Sequence, residues 1–268
     1  MNKEYKNLIC ERRHSNGEVI CITLNNEKMM NAMIESLQCE LLEVLEEIEY
    51  DNSIRCVVIT GAGEKAFSAG GDINLFKKLD NVSGYDFMYE RGQRIQHAIT
   101  HMEKPVIAAV NGLCLAGGLE LALCCDIIYA SANAKFGLLE ISLGLLPGWG
   151  GTIRLPRAIP VNKAKEMIFS AEMISAEDAF HWGLVNRVLK NSEDLYKELD
   201  SLVDRMMRKP ALALRAAKSV INNSITCNSI EAALTIERDA IMWLISSEDM
   251  KEGVSAFVEK RTPHFQGK

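Results

Sequence analysis

Apolar residues follow two kinds of pattern along the first half of the chain. Short continuous runs, rich in β-branched residues, lie at Val19 to Leu24, Cys56 to Thr60, Val106 to Val110 and Asp126 to Ala130. Runs of this length predict buried strands. From Ile34 to Ile48 the apolar residues recur at helical spacing instead. Because strand and helix alternate, we expect an α/β core.

The pattern changes after Pro160, where helical spacing dominates. The predicted helices of this half cover Asn162 to Ser170, Ser175 to His181, Asp194 to Arg208, Ala211 to Asn222 and Ile230 to Ile245. One last strand is predicted from Leu184 to Leu189. Since no linker rich in Ser, Gly or Pro separates the halves, we expect a core over residues 1–195 and a packed helical extension over 196–268.

Glycine-rich segments interrupt the predicted elements at three places. Gly70-Gly71, inside KAFSAGGDI, permits a ligand to approach the main chain closely, and Asp72 is suited to cap a short helix there. Gly117-Gly118 predicts a turn that leads into a helix N-terminus, where free N–H groups favour negative charge. The segment from Leu143 to Pro160 is dense in Gly and Pro, which predicts a loop with a short helix near a pocket.

Composition and charge exclude several classes of protein. The chain has 268 residues and a net charge of −6, which argues against a general nucleic-acid binder. Its longest apolar stretch, Val106 to Ala130, is interrupted by Asn111, Glu120 and Asp126, as in a buried core and unlike a membrane span. The eight cysteines form no C-x-x-C pair, and neither they nor the five histidines predict a metal site. With no secretory pattern at the N-terminus, we expect a reducing, cytoplasmic location.

Two carboxyls lie in apolar sequence near a glycine turn, Glu120 and Glu140. Buried carboxyls are costly unless they are paired or used in chemistry. We therefore expect the active site in the stretch from Lys104 to Glu140. The alternative is a pair of structural or salt-bridged acids.

Several fragments, taken in order, resemble the crotonase superfamily, which is also called the enoyl-CoA hydratase/isomerase family. They are KAFSAGGDI, KPVIAAVNGLCLAGGLELALCCDI, AKFG, LGLLPGWGGTIRL, WGLVNRV and AFVEKR, and the resemblance runs from about Val19 to Arg261. It implies a crotonase-like spiral of ββα units with a helical C-terminal region that forms homotrimers or homohexamers. It also implies an acyl-CoA thioester as substrate, with no metal or redox cofactor.

The resemblance also implies roles for particular residues. Gly71 and Gly117 match the positions whose backbone N–H groups form an oxyanion hole for the thioester oxygen. Glu120 and Glu140 match the two acids of the hydratases: we expect Glu120 to orient and activate water, and Glu140 to act as the main acid/base. The residues matched to substrate and CoA binding are Lys28, Ala69, Gly70, Asp72, Ile73 and Asn74.

The sequence departs from the family pattern at three places. Ala116 stands where many hydratases have a third glycine, Glu27 follows Asn25-Asn26 in place of an Asn-Arg-Pro entry, and Leu139 replaces a common proline. We expect the first departure to alter packing more than chemistry.

The pattern is most like a short-chain enoyl-CoA hydratase, and other functions stay open. They are an isomerase that moves the double bond, a specialised hydratase of the crotonobetainyl-CoA type, and a non-enzymatic acyl-CoA-binding subunit.

Overall fold

The computed structural model describes residues 3–78 and 80–268, which form ten strands and twelve α-helices. The strands are β1 Leu8–Arg13, β2 Val19–Leu24, β3 Cys56–Gly61, β4 Ala66–Ser68, β5 Val106–Val110, β6 Leu113–Leu115, β7 Ile127–Ser131, β8 Lys135–Gly137, β9 Ile174–Ser175 and β10 Arg187–Leu189. The helices of the first half are α1 Glu35–Tyr50, α2 Ile73–Phe76, α3 Asn81–Tyr85, α4 Arg94–His101 and α5 Gly117–Ala122. Those of the second half are α6 Gly151–Ala158, α7 Val161–Ser170, α8 Ala176–His181, α9 Ser192–Met207, α10 Ala211–Ser224, α11 Ile230–Ile245 and α12 Glu248–Glu259.

Two sheets form a spiral. The first has the order β1-β2-β3-β5-β7-β10, and it is parallel except for the β1–β2 pair. The second has the order β4-β6-β8-β9, with only β8 and β9 antiparallel. Three successive strand pairs therefore contribute one strand to each sheet, as β3 and β4, then β5 and β6, then β7 and β8. This is the expected repeat of ββ units, and the crotonase-like α/β spiral is confirmed.

Each face of the first sheet is covered by its own apolar core. Alternate residues of a strand point to opposite faces, and so Ile20 and Ile22 of β2 join the core beneath α1, whereas Val19 and Cys21 join the core beneath α9. Helix α9 buries one residue per turn against the sheet, at Leu195, Leu199, Val203 and Met207. The sheet is therefore buried on both sides across its parallel strands, as parallel sheets require.

The segment from Asn81 to His101 is one helix with an irregular middle. Between α3 and α4, Asp86–Gln93 is π-helical. The sequence predicts a helix here from Tyr85 to Met102, without the π segment. Wide turns of this kind are frequent at functional sites, and this one carries Phe87 and Gly92 on its buried side.

The three last helices differ from the rest in what they bury. Helix α11 has no buried residue, and two of its large apolar side chains are half exposed: Ile241 at 50% and Trp243 at 55%. Helix α10 is joined to the core by Lys218, whose Nζ lies 2.8 Å from Asp126 and donates to the Lys104 carbonyl at 3.0 Å. The C-terminal region thus has an anchored side and an exposed apolar side.

Several expected elements need adjustment. The strand expected over Leu184 to Leu189 is reduced to the three residues of β10, because the chain before it turns at Gly183, whose φ is +87°. Helix α9 begins two residues earlier than expected, since Asn191 caps it by accepting a hydrogen bond from the Asp194 N–H at 2.8 Å. Asp72 caps α2 as expected, accepting from the Asn74 N–H at 2.9 Å.

Candidate active site

The two glycine turns, 69–71 and 116–118, lie directly against each other. Gly70 has φ +91°, and a Cβ added to it would lie 2.7 Å from the Ala116 Cβ and 3.0 Å from the Gly117 nitrogen. Both the conformation and the close approach require glycine at residue 70. Segments separated by some forty residues in the sequence are thereby brought to one place.

The backbone N–H groups of Gly71 and Gly117 are free to bind a ligand. Neither donates a hydrogen bond to a protein acceptor within residues 3–78 and 80–268. Buried or half-buried N–H groups normally have partners, and Gly117 is buried while Gly71 is half-buried. Two such donors on adjoining loops are suited to one shared acceptor oxygen.

Ala116 holds the peptide that carries the Gly117 N–H. Its φ of +49° and ψ of −126° lie in a region that side chains other than glycine rarely adopt. Because the Ala116 ψ angle sets the direction of the next N–H, the departure from the family glycine affects the donor group directly. The sequence indicated an effect on packing; the structure adds a strained backbone at this position.

Glu120 lies on α5, one turn after Gly117, and is 3% exposed. Its Oε1 accepts hydrogen bonds from the Trp149 N–H at 2.8 Å and the Gly151 N–H at 2.7 Å. These donors come from the glycine-rich loop before α6. Among the described residues the second carboxyl oxygen has no hydrogen-bond partner, so it is available for a water or substrate proton.

Glu140 opens a 3-10 turn, Glu140–Leu143, immediately after β8. Its Oε2 is buried and has no hydrogen-bond partner among the described residues. A buried carboxyl oxygen without a partner is unusual in a purely structural role. Neither acid forms an ion pair among the described residues, so the pair is not salt-bridged there.

The charge of Glu140 affects the protonation of Glu120. Burial, together with the charge of Glu140, raises the pKa of Glu120 to about 8, and the N–H groups of Gly151 and Trp149 oppose this rise. Burial also raises the pKa of Glu140, against a smaller opposite effect of the nearby backbone N–H groups. Because the charge of Glu140 acts on Glu120, the two carboxyls titrate as a coupled pair, and with a Glu120 pKa of about 8 the pair retains a proton at neutral pH.

Aromatic side chains form a wall along both glycine loops. A Cβ added to Gly71 would lie 2.7 Å from the Phe76 ring, and one added to Gly117 would lie 3.3 Å from the Trp149 ring. Phe87 lies between them, with ring centroids 5.4 Å from Phe76 and 5.2 Å from Trp149. The indole also fits only because residue 92 is glycine: a Cβ there would lie 2.3 Å from the Trp149 Nε1. We call Phe76, Phe87 and Trp149 the aromatic wall.

The residues expected to bind CoA lie around the first glycine turn. Lys28 is exposed on a 3-10 turn, Glu27–Met29, and the chain just after this turn pairs with the 69–71 loop. The Ala69 N–H donates to the Met30 carbonyl at 2.9 Å, and the Met33 N–H donates to the Gly70 carbonyl at 2.8 Å. Ile73 and Asn74 are exposed at the start of α2. Lys28 and residues 69–74 therefore belong to one continuous edge of the site.

Sequence reasoning missed the groups that hold Glu120. The Trp149 and Gly151 N–H donors are backbone atoms 29 and 31 residues away, and no residue type marks them. It also missed Arg154 and Gln96, which lie behind this loop. The only signal was the run of glycines in PGWGG, which indicated a loop near the pocket.

The described part of the chain has neither a cluster of metal ligands nor a helix suited to cross a membrane. Within residues 3–78 and 80–268, no cluster of three or more His, Cys, Asp or Glu side chains is arranged to hold a metal ion. Over the same residues, no helix combines the length and the apolarity that a membrane crossing needs.

Comparison with known proteins agrees with this arrangement. The family model described as enoyl-CoA hydratase/isomerase matches residues 14–268. The crotonyl-CoA hydratase of Syntrophomonas wolfei is 39% identical over 264 residues, which are 98% of this chain and 99% of that protein. The short-chain-enoyl-CoA hydratase of Clostridium acetobutylicum is 40% identical, over 96% of this chain and 97% of that one.

Among solved structures, the enoyl-CoA hydratase of Bacillus anthracis superposes with a TM-score of 0.93 at 35% identity, covering 98% of this chain and all of that chain. Fold, ordered motifs and full-length identity all agree, and the chain belongs to the enoyl-CoA hydratase/isomerase family.

Proposed function

We propose that this protein catalyses the reversible addition of water to a short-chain trans-2-enoyl-CoA, giving the 3-hydroxyacyl-CoA. The observation that carries the proposal is the combination of two carboxyls, the buried Glu120 and the half-buried Glu140, with the N–H donors of Gly71 and Gly117, which have no protein acceptor among the described residues. The family makes the protein a hydro-lyase acting on enoyl-CoA. The residue roles are inferred from the geometry.

The two N–H donors bind the thioester oxygen in this proposal. Adding water across the conjugated double bond places negative charge on that oxygen in the enolate. Donors that already point at the oxygen stabilise the enolate without reorganisation. Removing one such donor typically slows an enzyme by about a hundredfold or more.

The two acids move the protons. The ionised carboxyl accepts a proton from water as the water oxygen bonds to the β-carbon, and the protonated carboxyl donates its proton to the α-carbon. One proton enters the pair and one leaves it, so the pair ends with the charge that it had at the start. Glu120, fixed by two N–H groups, orients the water, and Glu140, whose Oε2 is otherwise unpartnered, serves as the main acid/base.

Different residues contact the CoA portion and limit the acyl chain of the substrate. Lys28, Ala69, Gly70, Asp72, Ile73 and Asn74 contact the CoA portion or the substrate path in this proposal. The aromatic wall limits the acyl chain, because bulky rings already fill the space beside both glycine loops. This supports a short chain, and the relatives named crotonyl-CoA and short-chain-enoyl-CoA hydratase share that preference by name.

No metal or redox cofactor takes part in the proposed reaction. The chemistry needs only proton transfer and stabilisation of an enolate, and the acids and N–H donors supply both. Incubation with EDTA followed by gel filtration should leave the hydration rate unchanged.

The helical extension 196–268 serves oligomerisation in this proposal, and a second copy of the chain covers the exposed apolar side of α11. Side chains such as Ile241 and Trp243 are half exposed on a helix that has no fully buried residue. A homotrimer or homohexamer satisfies them. A cytoplasmic location fits the eight free cysteines.

The direct test is an assay with crotonyl-CoA and longer trans-2-enoyl-CoAs, following loss of the absorbance of the conjugated thioester. We expect turnover, greatest for the short chains, and nearly complete loss in Glu120→Gln and in Glu140→Gln. Product analysis distinguishes the alternatives: double-bond migration without uptake of water indicates an isomerase, and binding without turnover indicates an acyl-CoA-binding subunit. Full activity in either glutamine variant contradicts the role given to that acid.

A further inference from the structure

A half-buried cation lies behind the acid that we assign to water activation, and the reaction outlined above does not use it. Arg154 is on α6, one turn after Gly151, whose N–H binds Glu120. We propose that Arg154 is a positioning residue for Glu120, which holds the loop that fixes the Glu120 carboxylate and supplies a positive charge behind it. The inference rests on the proposed role of Glu120.

A path of hydrogen bonds connects Arg154 to Glu120 through Trp149. Arg154 Nη1 donates to the Gln96 Oε1 at 2.7 Å and lies 3.4 Å from the Trp149 carbonyl oxygen. Trp149 thus contacts Glu120 through its N–H and Arg154 through its C=O. Gln96 is buried on α4, so this bond ties the loop to a helix of the core.

Gly150 leaves space for the Arg154 guanidinium. Gly150 has φ +93°, and a Cβ added to it would lie 2.0 Å from the Arg154 Nη1 and 3.2 Å from the Gln96 Oε1. The guanidinium therefore lies against bare backbone, in the loop between the two N–H donors. The positive φ favours glycine here, and a side chain at this position would displace the end of the Arg154 side chain.

The positive charge of Arg154 acts on Glu120. The Arg154 guanidinium forms no ion pair in the part of the chain that the structure describes. Its charge lowers the pKa of Glu120, against burial and against the charge of Glu140. The Arg154 charge also acts on Cys124, whose thiol pKa burial raises to about 12, so that thiol stays neutral through an ordinary assay. Glu120 is thus the acid on which the Arg154 charge acts.

The variants are Arg154→Met, which removes the charge, and Arg154→Lys, which keeps it without the planar fork. Arg157→Met is the matched control, because Arg157 is exposed on the same helix and, among the described residues, bonds only to the Ile153 carbonyl, at 2.7 Å. The measurement is the pH dependence of kcat/KM for hydration of crotonyl-CoA.

We expect Arg154→Met to lower kcat/KM at neutral pH by about tenfold or more. Without the positive charge, the pair formed by Glu120 and Glu140 keeps its shared proton to higher pH, so the alkaline limb of the profile should move upward by about 0.5 pH unit or more. Arg154→Lys should return the limb most of the way, and Arg157→Met should match the unaltered protein. A lower rate with an unmoved limb, or equal displacement in the Lys and Met variants, would overturn the inference.

A second measurement does not depend on activity. The difference in unfolding free energy between the protein and Glu120→Gln, followed against pH, reports the Glu120 pKa in the folded state. Repeating it with Arg154→Met in both proteins should move the transition to higher pH. If the protein hydrates no enoyl-CoA, the proposed function fails while this measurement still tests Arg154. An unchanged transition overturns the Arg154 inference by itself.

Discussion

Replacing Glu120 by glutamine is expected to abolish hydration and, at alkaline pH, to stabilise the fold. The carboxyl is 3% exposed, and its pKa is raised from 4.5 to about 8. An unfolded chain ionises this group freely, whereas the folded chain keeps it protonated or ionises it at a cost. Glutamine has the same shape, and its oxygen can still accept the Trp149 and Gly151 N–H groups.

The sign and size of this change in stability follow from the linkage between proton binding and folding. A raised folded-state pKa contributes stability that is fully present below the unfolded-state pKa and is lost as pH rises through the folded-state pKa. The loss accumulates at about 1.4 kcal/mol per pH unit. Between 4.5 and about 8 it amounts to about 5 kcal/mol as an upper estimate. The glutamine variant has no such loss, although its buried NH₂ group offsets part of the gain by about 1–3 kcal/mol at every pH.

The assay is urea unfolding at a fixed protomer concentration, at several values from about pH 5 to about pH 9. The stability of Glu120→Gln minus that of the unaltered protein should rise steadily with pH and level off above about pH 8. The control is Glu90→Gln, at an exposed position on the π-helical segment, which should show no such rise. A difference that is flat across the range would refute a raised Glu120 pKa and, with it, the shared proton.

Four further predictions follow from the site and the surface. Hydration of crotonyl-CoA should slow above about pH 8 as the acid pair loses its shared proton, and a rate that rises steadily through pH 9 contradicts this. Trp149→Ala should raise kcat/KM for eight-carbon relative to four-carbon enoyl-CoA by about tenfold, and an unchanged ratio removes the aromatic wall from the explanation of chain length. Ala116→Gly should stabilise the fold by about 1 kcal/mol, since relief of the positive φ exceeds the added chain entropy, and thermal unfolding at lower temperature contradicts it. Trp243→Glu should shift the protein to monomers in light scattering after gel filtration, and an unchanged mass shows that α11 is not an interface.

How much of this fold the sequence reveals depends on how strongly each element is patterned. β2 and α11 have the bounds that their apolar patterns predict, because six residues of buried strand or four turns of helix leave a long signal. β8 and β9 are three and two residues long, too short for any periodicity. The π-helical segment has no pattern of its own, since it occupies the middle of an ordinary helical spacing.

The residues of the site also differ in how strongly the sequence marks them. Glu120 and Glu140 attract attention because acids in apolar sequence are rare, and the glycine turns beside them are equally visible. The partners of Glu120 are not, because backbone N–H groups carry no residue identity. The bond between Arg154 and Gln96 joins residues 58 positions apart, one of them on a helix whose function the sequence does not indicate. Strain at Ala116 becomes visible only when the torsion angles are known.

The π-helical segment Asp86–Gln93 has an evolutionary consequence. Each residue of an α-helix turns the chain by about 100°, so deleting one residue here would rotate everything before the deletion while leaving α4 and Gln96 in place. Phe87 and Gly92, which contact the Trp149 indole, lie within this segment. A single-codon insertion or deletion can therefore remodel one side of the proposed acyl pocket in one step and leave the acids and N–H donors untouched. Relatives with different substrates are expected to differ in length here.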